Sequence, residues 1–273
     1  MFFEFVIIAI GTILATVGVC TFWPVHVFYE IYRPLVLFVG GYLLGVGLLW
    51  IYADIVGRTM DNKNKDYDKP NVFARNLLVR GISFINFHAR IKVKVKGRDK
   101  FPRGGRFLVV ANHKSKFDPM IITALYGKWD IAFLTKRANM KIPLGGRLMH
   151  RCCFLPLDRE DKLQSLEQMK KASSLIERDV SSVGVFPEGT RTENGVILGD
   201  FHEGIFNIAY RGKCPVVVIT FKNTENIHKN FPLHSTKVDM HILRTIPYEE
   251  FRDKTAKQLI DEVHEMMLKD LSK

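Results

Sequence analysis

Two long apolar runs open the chain. Phe5 to Tyr29 and Pro34 to Ala53 contain no charged residue, and Glu30 and Arg33 are the only charges between them. About 20 residues of helix rise roughly 30 Å, the depth of a bilayer's hydrocarbon core, so residues 1–53 predict a membrane hairpin of two hydrophobic helices. Trp23, Tyr29 and Tyr32 fall near the connection and Trp50 and Tyr52 near the exit, positions where aromatic rings favour the headgroup level. A cleaved signal peptide fits less well, because no basic segment precedes the first run and a second run follows at once. Pro24 and Pro34 leave open a re-entrant hairpin that turns back within one leaflet. Gly40, Gly41, Gly45 and Gly47 include a GxxxG spacing, read here as ordinary glycine tolerance of a membrane helix in preference to a contact face.

Residues 54–90 change character. Asp61 to Pro70 (DNKNKDYDKP) reads as a polar linker, and Asn71 to Arg90 carries apolar residues at helical spacing among Arg75, Arg80 and Arg90. That helix suits either a bilayer surface or an ordinary place on the following domain. From residue 91 onward short apolar runs alternate with helical stretches. Ile91 to Lys96 (IKVKVK) alternates strictly, as a half-buried strand does, and Arg106–Ala111, Ile131–Leu134, Cys153–Leu157, Val183–Phe186, Val216–Phe221 and Val238–Leu243 are further strand candidates. Helical patterns cover Pro119–Tyr126, Asp161–Asp179, Phe201–Arg211 and Thr255–Leu271. The expected architecture is therefore α/β, a mixed sheet flanked by helices over residues 91–273, behind a helical membrane anchor.

Composition sharpens this picture at two points. The 273 residues carry a formal charge of +12, and because residues 1–53 hold only Arg33 against Glu4 and Glu30, the surplus lies wholly in the rest. Such a surplus favours anionic partners, and the basic stretch after the second run predicts that the large domain faces the cytoplasm. The four cysteines (Cys20, Cys152, Cys153, Cys214) show no paired spacing, which excludes a disulfide framework or zinc knuckle and suits a reducing compartment.

Two segments carry candidate chemistry. Val109 to Met120 (VVANHKSKFDPM) is an apolar strand running into Asn112, His113 and Asp118. A histidine at a strand end can act as a general base near neutral pH, and a carboxylate on its other ring nitrogen would fix its tautomer. Asp118 before Pro119 also suits a helix N-cap, and one carboxylate oxygen for each task would let it serve both. Val183 to Gly195 (VGVFPEGTRTENG) is a second strand running into a turn, with Glu188, Gly189, Thr190 and Arg191 in succession. Backbone amides at a glycine turn together with a guanidinium suit a phosphate, and a plain surface turn is the alternative. The HEMML segment at His264 and the His202–Glu203 pair are incomplete zinc motifs, and no nucleotide-binding glycine pattern follows a strand.

The NHKSKFD block followed by FPEGTR resembles the glycerolipid acyltransferases, in particular the 1-acylglycerol-3-phosphate acyltransferases, with their HxxxxD pair and FPEGTR-like block. FLTKRANMKIPLGG (Phe133 to Gly146), CFLPLDR (Cys153 to Arg159) and KCPVVVITF (Lys213 to Phe221) resemble further blocks, so the likeness spans roughly Gly97 to Phe221. The chain departs from the family at Cys152 and Cys153, where a small glycine is usual before the strand. The resemblance implies transfer of a fatty acyl group from acyl-CoA or acyl carrier protein (acyl-ACP) to the free hydroxyl of 1-acylglycerol 3-phosphate, giving phosphatidic acid. It implies His113 as base and Asp118 as its orienter, with Asn112, Lys136, Arg159, Glu188, Gly189, Thr190 and Arg191 binding substrate. No metal or bound cofactor is implied. The partners are the lysophospholipid acceptor, the acyl donor and membrane lipid, with no nucleic acid. Other lysophospholipids, acyl-ornithine acceptors or a non-enzymatic membrane-tethered anion binder are the alternatives.

Overall fold

The computed structural model describes residues 2–22, 32–60, 67–158, 160–192 and 195–273. They form two compact units, divided between residues 60 and 61.

The first unit is a pair of helices, α1 (Phe2–Phe22) and α2 (Tyr32–Met60). The expected connection with Trp23, Pro24 and Tyr29 lies outside the described residues. Tyr32–Thr59 is long and apolar enough to cross a bilayer. The helix runs beyond the expected limit at residue 53, and Arg58 pairs with Asp54 one turn earlier at 2.7 Å. The glycine spacing proves to be a contact face. A methyl group at Gly41 would sit 3.1 Å from Cγ2 of Thr12, and one at Gly45 3.0 Å from Cγ2 of Ile8, whereas Gly40 and Gly47 face open space. Without water to drive association, apolar helices gain from close backbone approach, and the Gly41–Gly45 edge permits it.

The second unit is built on seven strands: β1 (Ile91–Lys96), β2 (Leu108–Ala111), β3 (Ile131–Lys136), β4 (Leu155–Leu157), β5 (Ser182–Val185), β6 (Val216–Lys222) and β7 (Thr236–Ile246). Their order is β1-β7-β6-β2-β5-β3-β4, and β6–β7 is the antiparallel pair. The central strands β2, β5 and β6 are apolar along most of their length because both faces are covered, which is the pattern of a buried parallel sheet. The outer strands β1 and β7 alternate instead. Parallel pairing places the carboxyl ends of β6, β2, β5, β3 and β4 at one edge of the sheet. The loops that leave that edge carry the residues of interest.

Helices α3 (Val72–His88), α4 (Phe117–Tyr126), α5 (Gly145–Arg151), α6 (Lys162–Glu177), α7 (Asn207–Gly212), α8 (Ile227–Asn230), α9 (Tyr248–Phe251) and α10 (Ala256–Leu271) complete the unit. Asn71 caps α3 and Asp161 caps α6, each side chain accepting the amide three residues on. The α3 pattern, equally suited to a membrane surface by sequence, packs on the domain through Ala74 and Leu78. Arg75, buried to 4 % exposure, reaches the carbonyl oxygens of Ile131 and Cys152 and lies 3.2 Å from the Asp130 carboxylate, so it clasps strand ends instead of serving as a surface cation. Cys152 and Cys153 form the turn into β4, with Cys153 at φ 60, and the strand begins at Leu155, two residues later than its pattern suggests. Burial pushes these thiols up, to about 11 and about 12.

The C-terminal helix α10 opens with a Thr255–Gln258 capping box and buries Leu259, Val263 and Met267. Its last turn is pinned by Asp270, which accepts from Thr220 Oγ1 at 2.6 Å and pairs with His241 Nδ1 at 2.8 Å. Burial alone would raise the Asp270 carboxyl, but the hydrogen bonds from Thr220 and His241 and the charges of His241 and Lys222 outweigh it and hold it below its ordinary value. The stability this group supplies is therefore present above the ordinary carboxylate range near pH 4 and is lost as pH falls through the depressed folded value. Asp270→Asn is expected to cost about 1–2 kcal/mol at neutral pH, with the difference from wild type closing in acid. Thermal unfolding at several pH values measures it, and equal melting of the two proteins at pH 7 would refute the pinning.

Candidate active site

Strands β2 and β5 lie side by side and parallel, with Val110 opposite Val185, so the loops leaving them emerge as neighbours. The loop after β2 carries His113 and leads into α4. His113 Nδ1 stands 2.9 Å from Asp118 Oδ2, the spacing of a direct hydrogen bond. The same oxygen accepts the backbone amides of Lys114 at 2.8 Å and Ser115 at 2.7 Å. An oxygen that already accepts two backbone amides acts as an acceptor toward the ring as well, so Nδ1 is the donor and Nε2 is the ring nitrogen left outside this cluster.

Asp118 is not the N-cap that the Asp–Pro pair suggests. It lies within the first turn of α4, which begins at Phe117, and its carboxylate folds back over the loop before the helix. The division of labour also differs from expectation, since one oxygen does all the work and Oδ1 is buried with no hydrogen-bond partner among the described residues. Asp118 is fully buried, while the His113 side chain keeps 19 % exposure. Phe186 lies flat against the imidazole, with ring centroids 4.3 Å apart, and Phe133 stands behind Phe186. Phe133 can lie there because Gly184 leaves its space free, since a methyl group at Gly184 would approach its ring to 2.3 Å.

The turn after β5 is fastened to both backbone groups of His113. The Thr192 amide donates to His113 O at 2.7 Å, and the His113 amide donates to Glu188 Oε1 at 2.7 Å. The other Glu188 oxygen accepts from the Thr192 hydroxyl and from the Gly199 amide. Glu188 is 7 % exposed, and both of its oxygens are committed to the protein. Its expected role in binding substrate gives way to that of a latch between the two loops. Gly189 adopts φ +67, and a methyl group there would meet the His202 ring at 2.7 Å, so the turn accepts no larger residue without rearrangement. Thr190 and Arg191 stand exposed on its outer side.

Asn112 likewise serves the fold. It is fully buried and mimics a strand residue, its Nδ2 donating to Phe221 O at 3.0 Å and its Oδ1 accepting the Phe221 amide at 2.7 Å, which extends the β2–β6 pairing by a step. Lys136 ends β3 at the same sheet edge and is exposed. Arg159 lies outside the described residues. The structure thus brings His113, Asp118, Glu188, Gly189, Thr190 and Arg191 to one place and puts Lys136 on the same edge. Thr192 and Phe186 were missed as participants: Thr192 directly follows the recognisable block, and Phe186 reads simply as the last apolar residue of its strand.

The stretch that holds these loops is similar to known proteins. Residues 92–222 match the family model described as Acyltransferase, a stretch that runs from β1 to the end of β6 and includes both loops. Residues 92–222 are similar to an acyltransferase domain. It is 28 % identical over 202 residues to the 1-acyl-sn-glycerol-3-phosphate acyltransferase alpha of Bos taurus, covering 72 % of this chain and 69 % of that protein. It is 30 % identical over 190 residues to the chloroplastic 1-acyl-sn-glycerol-3-phosphate acyltransferase BAT2 of Brassica napus, covering 69 % of this chain and 53 % of that protein. Its fold is shared with the crystal structure of the 1-acyl-sn-glycerophosphate (LPA) acyltransferase PlsC from Thermotoga maritima, with a TM-score of 0.59 at 23 % identity, over 72 % of this chain and 80 % of that one. The acyltransferase-like stretch therefore sits on a mixed α/β sheet flanked by helices, behind an apolar helical segment.

The latch makes a direct expectation. In Glu188→Gln the amide nitrogen replaces one acceptor and faces a donor, which should cost about 1–3 kcal/mol. Amide exchange at His113 and Thr192 should accelerate with it. Unchanged exchange at both positions would show that Glu188 does not hold the loops together.

Proposed function

We propose that this acyltransferase transfers a fatty acyl group from an acyl thioester, acyl-CoA or acyl-ACP, to the free hydroxyl of 1-acylglycerol 3-phosphate, yielding phosphatidic acid and a free thiol. The observation that carries this reading is an imidazole held by a buried carboxylate and fastened, through both backbone groups of His113, to the turn that presents Arg191. His113 Nε2 takes the proton of the acceptor hydroxyl as its oxygen attacks the thioester carbonyl carbon. Asp118 keeps the tautomer and stabilises the imidazolium that forms. The tetrahedral intermediate collapses by breaking the carbon–sulfur bond, and the imidazolium returns its proton to the departing thiolate. A thioester is already activated, so the protein has to supply only a deprotonated and positioned alcohol.

Arg191, Lys136 and Arg159 bind the acceptor phosphate in this reading, with Thr190 and the Gly189 backbone shaping its site. A guanidinium matches two phosphate oxygens at once, and Lys136 adds a point charge at the same sheet edge. The names of the relatives favour the phosphate-bearing acceptor over another lysophospholipid or an acyl-ornithine. In this reading the protein works at a membrane: Tyr32–Thr59 supplies a span-length helix, and the basic residues that follow it favour a cytoplasmic catalytic unit.

The test presents the purified full chain with CoA and carrier-protein thioesters and a panel of acceptors. His113→Ala should lower turnover by about 10²–10⁴-fold. Arg191→Ala should raise the KM for the acceptor by about 10–100-fold and leave that of the donor unchanged, as loss of a charged hydrogen bond predicts. Turnover by His113→Ala at the wild-type rate would remove the imidazole from the mechanism. A wild-type enzyme indifferent to the acceptor's phosphate would overturn the substrate assignment.

A further inference from the structure

The segment between β6 and β7 presents apolar side chains to solvent without any partner among the described residues. Phe231 is 53 % exposed and Leu233 75 % exposed. The segment is not a loose loop. The Arg90 guanidinium donates to Leu233 O at 2.7 Å, the His234 amide to Asn230 O at 2.8 Å, and the Asn230 side chain to Thr236 Oγ1 at 2.9 Å. The backbone is thus held from behind, and Phe231 and Leu233 point outward from a built support.

Cations surround this tip. The stretch from Lys69 to Arg98 contains no acidic residue, and neither does Ile227 to Val238. The fold lays these stretches side by side, with β1 paired to β7 in parallel. Lys92 stands directly opposite Lys237, and both are exposed. Like charges directly opposite across strands are destabilising on their own. Arg90 and Lys229 add to the same field, and Lys94, farther along β1, faces Asp239.

The position in the fold indicates the occupant. Because β7 runs antiparallel to β6, its start lies at the edge from which the His113 and Arg191 loops emerge. Other segments leaving that edge also expose apolar side chains, including Ile142, Leu163, Val196 and Ile197. At the opposite edge, among the described residues, Leu125 near the end of α4 is exposed, while the loops that enter the strands there expose no large apolar side chain. Apolar tips set in a cationic field match the hydrocarbon boundary beneath anionic headgroups.

We propose that Phe231 and Leu233 form an apolar wedge by which the catalytic unit itself docks on an anionic lipid surface, separately from the N-terminal helices, with Lys92 and Lys237 holding the headgroups around it. The proposal rests on the membrane association given above and is independent of the acyl-transfer chemistry. It presents the active-site edge to the leaflet from which a lipid acceptor would come.

The experiment uses the full chain in vesicles of phosphatidylcholine containing a minor fraction of phosphatidylglycerol, and in phosphatidylcholine alone. An environment-sensitive fluorophore is attached to a Leu233→Cys variant that also carries Cys20→Ser. Cys152, Cys153 and Cys214 are buried, with thiols pushed to about 11, about 12 and about 12, and stay unlabelled at neutral pH. Flotation with the vesicles first establishes membrane association of the chain. On anionic vesicles the label at residue 233 should shift to the blue and be quenched by nitroxide-bearing lipid, while a label on Gly104→Cys, at the opposite edge, should remain water-like. Lys92→Glu with Lys237→Glu should reduce the docked population, each neutralised lysine alone weakening it by about fivefold. A chain that floats with a water-like label at residue 233 would overturn the wedge and leave the anchor intact, and failure to float would overturn both. A shift produced by an acidic protein in detergent and by neither vesicle would assign the surface to a protein partner instead.

Discussion

The candidate active-site edge depends on one buried carboxylate. Glu188 accepts the His113 amide with one oxygen and the Thr192 hydroxyl and Gly199 amide with the other, so the His113 loop and two points of the connection after β5 meet on a single side chain. Buried polar backbone needs partners, and an irregular loop cannot supply them from its own length. Adjacent strands β2 and β5 bring the loops close, and the carboxylate converts closeness into fixed position. The reciprocal bond from the Thr192 amide to His113 O closes the link from the other side. Both backbone groups of the histidine are therefore set by the turn that carries Arg191, so His113 and the Arg191 turn have little freedom to move independently.

The same economy governs the imidazole. Three donors converge on Asp118 Oδ2, two of them loop amides, so the carboxylate that orients the ring also shapes the loop bearing it. Phe186 and Phe133 close off one face of the ring. A side chain fixed at one ring nitrogen and stacked on one face has little rotamer freedom left to lose, so the imidazole is preorganised.

The cations are distributed on a different principle. Arg75 is buried and spends its donors on strand-end carbonyl groups and Asp130, and Arg90 braces the segment before β7. Arg191 and Lys136 remain exposed at the active-site edge, and Lys92 and Lys237 face one another across the outer strands. The net positive charge is thus divided between groups that hold the scaffold and groups available to anions, a division composition does not reveal.

Much of the fold was legible because it is periodic. Alternation in β1, continuous apolar runs in β2, β5 and β6, and capped amphipathic patterns such as α10 are local properties, and burial of apolar side chains enforces them whatever the partner. The two loops with chemistry were legible for a related reason, since motif residues stand next to strand ends and strand ends can be read. What the sequence could not assign was the task of each polar side chain. Asn112 and Glu188 looked like substrate contacts and instead satisfy backbone groups at Phe221 and His113, while Asp118 looked like a helix cap and folds back over the loop before its helix. Gly41 and Gly45 looked merely tolerated and are a packing face. A local pattern determines which residues are buried and which element they form. Only the tertiary structure decides which buried donor meets which acceptor, because those partners come from distant parts of the chain and are selected by the order of strands in the sheet.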